Sequence, residues 1–118
     1  FLIKKHIKKR NIKLKIIKCK SIREINGVVC SSRNKNLNKK EMLIASKIYK
    51  ILKKNKKFLR TNSMIFKVKN MILQTGVKKI EYLKILNLKN LVKPKSNRSK
   101  FNIFISYYIN KVRLIDNL

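Results

Sequence analysis

Apolar residues change their spacing several times along this 118-residue chain, and each change marks a different element. Residues 1 to 20, FLIKKHIKKRNIKLKIIKCK, set cations between single aliphatics, with Ile12, Leu14 and Ile16 alternating with Lys13 and Lys15. A period of two predicts a strand or an extended arm. With charge on both faces, such an arm suits a polyanion better than free water. Gly27 and the run CSSRNKNLN, from Cys30 to Asn38, are polar turn chemistry and mark a boundary.

From Asn38 the spacing becomes helical. Asn38 and Glu41 have the form of a capping box, and Ile44, Ile48, Ile51 and Leu52 follow as a stripe, predicting a helix over about 39–57. Thr61, Asn62 and Ser63 offer a second cap, and Met64, Ile65, Val68, Met71 and Ile72 form a second helical stripe closed by Gly76. The stretch VKKIEYLKILNLKNLV reads as a β-hairpin near 77–93, with a third helix as the competing reading. Beyond Pro94, Ser99 is a candidate cap, and Phe101, Phe104, Ile105, Tyr108, Ile109 and Val112 fall at the intervals of a buried helical face. The fold expected is mainly α: a small helical core with a basic β-hairpin and an extended basic N-terminal arm. Residues 1–33 are the extension and 34–118 the helical RNA-binding domain.

Composition then narrows the function. Thirty-three Lys and Arg face four acids, a formal net charge of +29, while 44% of residues are hydrophobic. So large an excess calls for a polyanionic partner, and the apolar content is too high for a disordered tail. No segment approaches the roughly 18 uncharged residues of a membrane span. Ile, Lys and Asn abound beside a single Ala, Ala45, as in an A+T-rich coding sequence, which points to an organellar or otherwise biased genome. Phe1 in place of Met implies processing, an unusual start or an incomplete N-terminus.

Catalytic chemistry finds little support in these patterns. Glu24, Glu41, Glu81 and Asp116 are scattered, His6 is the only histidine, and no Gly-rich phosphate loop or metal motif is present. Each acid reads as a cap or a local salt-bridge partner. Cys19 and Cys30 lack metal-ligand spacing and read as free thiols, a disulfide or shared metal site being the lesser alternative. The expectation is therefore a non-enzyme with no cofactor and no small-molecule substrate. Phosphate contacts fall to four clusters: Lys4, Lys5, Lys8, Lys9 and Arg10; Arg33 and Lys35; Lys78 and Lys79; and Lys93, Lys95 and Arg98. Tyr107 and Tyr108 are candidates for base stacking, with Tyr108 on the buried stripe. No DNA-reading motif can be placed, so structured RNA is the favoured polyanion.

The order of parts resembles the small-subunit ribosomal protein seven family, through NKKEMLIASKIYKIL, MIFKVKNMI, and VKPKSNRSKFNIFISYYINKVR after the hairpin. The resemblance implies that Lys78, Lys79, Lys93, Lys95 and Arg98 meet ribosomal RNA of the subunit head, with Lys39 and Lys40 nearby. It implies a structural constituent of a mitochondrial or other organellar small ribosomal subunit, among neighbouring ribosomal proteins. Another basic ribosomal protein or an assembly factor is the alternative, and a membrane-active amphipathic protein a more distant one.

Overall fold

The computed structural model describes residues 2–17, 19–88, 90–94 and 100–118. Three α-helices, α1 (Leu2–Lys9), α2 (Lys39–Asn55) and α3 (Asn62–Leu73), accompany three strands, β1 (Lys79–Leu86), β2 (Asn102–Ile109) and β3 (Val112–Asn117). The strands form one antiparallel sheet in the order β1-β2-β3. The fold is thus mixed α/β, which corrects the expectation of a mainly α protein.

Two helices follow their end signals. Asn38 Oδ1 accepts from Glu41 N at 2.9 Å, and Glu41 Oε2 accepts from Asn38 N at 2.8 Å, completing the capping box at the start of α2. Thr61 Oγ1 accepts from Met64 N at 3.2 Å and starts α3. Helix α1 departs from the extended arm expected there: Arg10 N donates to His6 O and Ile12 N to Ile7 O, and the turn ends at Asn11, where φ is +49°. Ile3 and Ile7 stand four apart, a helical spacing, and the alternation at Ile12–Ile16 does not extend back to them. No residue of α1 is buried.

The largest departure lies after Pro94. The segment expected as the clearest helix is the central strand, β2, paired on both edges. Its face toward the helices carries Ile103, Ile105, Tyr107 and Ile109, all buried, and the opposite face carries Phe104, Ser106 and Tyr108. With aromatic Phe104 and Tyr108 on its outer face, β2 reads as a nearly continuous apolar run, and any such run also contains a 3.6-residue stripe. Ile, Phe and Tyr are strand-favouring residues, and that composition carried the correct signal. The expected hairpin at 77–93 dissolves for the same reason: β1 finds its partner in β2, from Lys79↔Tyr108 to Leu86↔Asn102, with a bulge between Ile80 and Tyr82.

The core lies between α2, α3 and one face of the sheet. Ile48, Leu52, Leu59, Val68, Ile72, Ile103, Ile105 and Ile109 are at most 1% exposed, each worth about 1.5–3 kcal/mol before side-chain entropy is subtracted. Val28 belongs to the same cluster, so the turn preceding α2 is attached to the core.

Candidate functional site

That turn, residues 22–37, is the most heavily braced loop among the described residues. Arg23 meets Asp116 through both guanidinium nitrogens, Nη1 to Oδ2 at 2.8 Å and Nη2 to Oδ1 at 3.0 Å. It also donates to Gly27 O at 3.0 Å and Asn117 O at 2.9 Å, and stacks on Tyr49 with 4.7 Å to the ring centroid. Planar guanidinium suits such a fork, since two parallel bonds fix direction as well as distance. The hydrogen bond to Asp116 raises the Arg23 pKa above its ordinary value, against the opposing effect of burial. The N-terminal side of the turn is thereby tied to β3 and α2.

Backbone pairing closes the turn on itself. Arg23 and Val29 form an antiparallel bridge, Glu24 N donates to Val28 O at 2.9 Å, and Gly27 N donates to Glu24 O at 2.8 Å. Gly27 stands at φ +88°, where a Cβ would lie 2.2 Å from two Tyr49 ring carbons, so only glycine fits. Ser46 Oγ donates to Asn26 O at 2.9 Å and fastens the tip to α2.

Residues 31–34, Ser-Ser-Arg-Asn, come next. Ser31 is extended and caps a 3-10 turn over Ser32–Asn36, its Oγ accepting from Arg33 N at 3.3 Å. Asn34 is 8% exposed; its Nδ2 donates both to Glu24 Oε1 and to Val29 O, each at 2.9 Å. Its Oδ1 is buried without a partner. Behind it lies a cavity of about 40 Å³, lined in part by Asn34, Tyr49, Tyr107 and Asp116, which is room for one water molecule. Asn34 thus works as a peg, leaving its neighbours Ser31, Ser32, Arg33 and Lys35 exposed on the outside.

An open groove of about 610 Å³ runs along this outer side, lined by Glu24, Cys30, Ser31, Ser32, Asn34, Lys35 and Met42. Arg33 is not among these lining residues: it borders the small cavity behind the turn, and its Nη1 donates to Arg113 O at 3.4 Å. The Ser31 and Ser32 hydroxyls and the Lys35 cation, with Arg33 exposed on the same turn, suit a phosphate-bearing ligand. Among the described residues no three His, Cys, Asp or Glu side chains converge as metal ligands. Cys19 and Cys30 are both exposed free thiols, not packed apolar groups.

Of the residues singled out from sequence, Arg33 and Lys35 lie on this turn, and Lys39 and Lys40 follow it on the first turn of α2. Lys35 lines the groove itself. The other clusters stand apart from it. Lys4, Lys5, Lys8 and Lys9 are exposed on α1, with Arg10 just beyond, and Lys78 and Lys79 are exposed at the start of β1. Lys93 donates to Asn62 Oδ1 at 2.7 Å. Lys95 and Arg98, and the expected cap Ser99, lie outside the described residues. Tyr107, a stacking candidate, is a core residue 5% exposed; burial, and then Asp116, push its hydroxyl pKa well above the usual value. Sequence reading missed Arg23, Glu24, Gly27 and Asn34 as a unit. The available signal was economy: four acids in 118 residues, one of them next to an arginine just before a Ser-Ser-Arg-Asn run.

Comparison with known proteins settles the family. The profile of the pantoate-beta-alanine ligase family matches residues 1–118. A pantothenate synthetase of Francisella tularensis subsp. mediasiatica is 40% identical over 116 residues, covering 98% of this chain and 37% of the relative. That of Flavobacterium psychrophilum is 32% identical over 123 residues, covering 99% and 43%. A crystal structure of pantoate-beta-alanine ligase from Francisella tularensis, complexed with beta-gamma ATP and beta-alanine, superposes with a TM-score of 0.74 at 38% identity, covering 99% of this chain and 38% of the other. Pantothenate synthetase from Thermus thermophilus shares the fold, with a TM-score of 0.80 at 18% identity, covering 98% and 44%. The chain therefore spans about two fifths of the length of these relatives.

These matches overturn the ribosomal resemblance, and with it the ribosomal RNA and neighbouring ribosomal proteins as partners, the organellar ribosome as location, and the alternative of a ribosomal or assembly protein. They also overturn the expectation of a non-enzyme with no small-molecule substrate, because the matched proteins are ligases and one was captured with beta-gamma ATP and beta-alanine. The resemblance had rested on lysine-rich helices whose order is easily reproduced in a chain with 33 basic residues. Matched along its whole length by one profile, and 40% identical to a curated member, the chain belongs to the pantoate-beta-alanine ligase family.

Proposed function

We propose that this chain forms part of an ATP-dependent ligase joining pantoate to β-alanine, and that its Ser31–Lys35 turn contributes one wall of the nucleotide site. Amide formation from a free carboxylate and an amine is uphill near neutral pH, so the carboxylate must first be activated. ATP is the natural activator, and the Francisella ligase was crystallised with a nucleotide and beta-alanine. What this chain brings is a phosphate-compatible surface held still in advance. Arg33 supplies a guanidinium fork, Lys35 a point charge, and Ser31 and Ser32 hydroxyls, while Asn34 and Glu24 keep the turn from collapsing. Preorganised donors around developing negative charge lower a barrier without further reorganisation at the moment of reaction.

The observation carrying this reading is the contrast between the two sides of one turn: Asn34 buried and doubly bonded inside, Ser31, Ser32 and Lys35 exposed along the groove, and Arg33 exposed between them in sequence. The remaining partners of the reaction would come from the part of the ligase fold that this chain does not span. The test is ATP binding by equilibrium titration at about 150 mM salt, where long-range attraction between exposed charges is largely screened. Arg33→Gln should weaken ATP about tenfold, as expected for losing a charge-assisted bidentate contact. Lys4→Gln, an equal change in net charge on α1, should leave it within about twofold. Equal weakening by both substitutions would refute the assignment.

A further inference from the structure

The far end of α2 carries a second concave surface, whose Lys53 also lies over the Tyr49 ring at 5.8 Å from the centroid. A groove of about 550 Å³ is lined by Lys53, Lys56, Lys57, Arg60, Lys100, Phe101 and Asn102. From these residues we infer that the chain has a separate anion site, for a small, multiply charged phosphate compound.

Three observations carry the inference. First, the five cations converge from distinct parts of the chain: the last turn of α2, the short 3-10 turn Lys56–Phe58, the loop before α3, and the lead-in to β2. The carbonyl end of a helix favours nearby cations, which accounts for Lys53 and Lys56. It does not account for Arg60 or Lys100, which other segments bring in. Second, Arg60 is held in place, its guanidinium lying over the Phe101 ring at 4.7 Å from the centroid. Stacking on an aromatic face fixes the plane in which a guanidinium meets an anion.

Third, the lining holds five cations and no acidic side chain. The chain has four acids, and all are engaged elsewhere: Glu24 with Asn34, Glu41 with Asn38, Glu81 with Arg113, and Asp116 with Arg23. The lining therefore carries a net positive charge that a multiply charged anion would offset. A concavity of this size matches a small molecule, in the range of ordinary ligand pockets.

Tripolyphosphate is the probe. Two-dimensional amide NMR of the chain at about 150 mM salt should show Arg60, Phe101 and Asn102 shifting along saturable curves as tripolyphosphate is added. The triple variant K53Q/K57Q/K100Q should lose about tenfold in affinity at this site, and the charge-matched K4Q/K5Q/K8Q less than about twofold. All six lysines are exposed, so folding should survive, and the spectra report it directly. Arg33→Gln should leave the Phe101 and Asn102 shifts intact, which separates this site from the proposed nucleotide turn. Static Arg60, Phe101 and Asn102 resonances, or equal losses in the two triple variants, would overturn the proposal.

Discussion

Replacing Asn34 by Asp alters one atom group and tests the peg at the centre of the turn. The side chain is 8% exposed, and its Nδ2 serves two acceptors at 2.9 Å, Glu24 Oε1 and Val29 O. Asn34→Asp preserves the shape, deletes both donors and sets a carboxylate against a carboxylate. A hydrogen bond to a charged acceptor contributes about 1.5–3 kcal/mol and one to a neutral carbonyl about 0.5–1.5 kcal/mol, so the loss should total about 2–4.5 kcal/mol. With a urea m-value on the order of 1.5 kcal/mol/M, the unfolding midpoint should fall by roughly 1.3–3 M.

Glu24→Gln combined with Asn34→Asp rebuilds the side-chain bond with donor and acceptor exchanged, while Val29 O stays unserved. The double variant should therefore recover about 1.5–3 kcal/mol relative to Asn34→Asp alone, a coupling measurable by a double-mutant cycle. Urea unfolding of the four proteins, followed by circular dichroism, gives both numbers. A midpoint for Asn34→Asp within about 0.3 M of the parent, or a double variant no better than the single, would refute the peg.

Three further outcomes follow from the same contacts. Gly27→Ala must adopt a positive φ and displace Tyr49 from 2.2 Å, so stability should fall by about 2 kcal/mol or more and Tm by roughly 8 °C in a scanning melt. Arg23→Met strands Asp116, which is 11% exposed at its side chain; the loss should be about 2–4 kcal/mol, with R23M/D116L regaining part of it in chemical denaturation. Tyr107 is held protonated by burial, with Asp116 adding to the effect, whereas an unfolded tyrosine ionises near pH 10. Its contribution is complete below that pH and is lost as pH rises beyond it, so Tyr107→Phe should flatten the alkaline fall in stability above about pH 10. An identical alkaline profile in the variant would count against this placement.

Legibility in the sequence depended on how local the determining contact is. The Asn38–Glu41 capping box and the Thr61 cap act over three residues, and both helices begin where those signals stand. Strand β2 depends on partners: Lys79–Leu86 lies on one side and Val112–Asn117 on the other, and the aromatic Phe104 and Tyr108 on its outer face erase the alternation that would have marked it. The site was hidden more deeply still. Arg23 and Asp116 are 93 residues apart in sequence, so the acid expected to act locally instead anchors the turn across the fold. Glu81 follows the same rule, bonding Arg113 on β3 and Ser106 on β2, with the Arg113 bond, more than the Ser106 bond, holding its carboxyl pKa below the usual value. Charge excess pointed toward ribosomal RNA, which the family match overturns, and 33 cations cannot by themselves say which anion is bound.

Amide NMR of the chain during an ATP titration reads the location of the nucleotide directly. Shifts concentrated at Ser31, Ser32, Arg33 and Lys35, and abolished by Arg33→Gln in a protein whose remaining spectrum is unchanged, are the expected result. Shifts spread over α1 and the exposed lysines, with residues 31–35 unmoved, would contradict the nucleotide role of this turn.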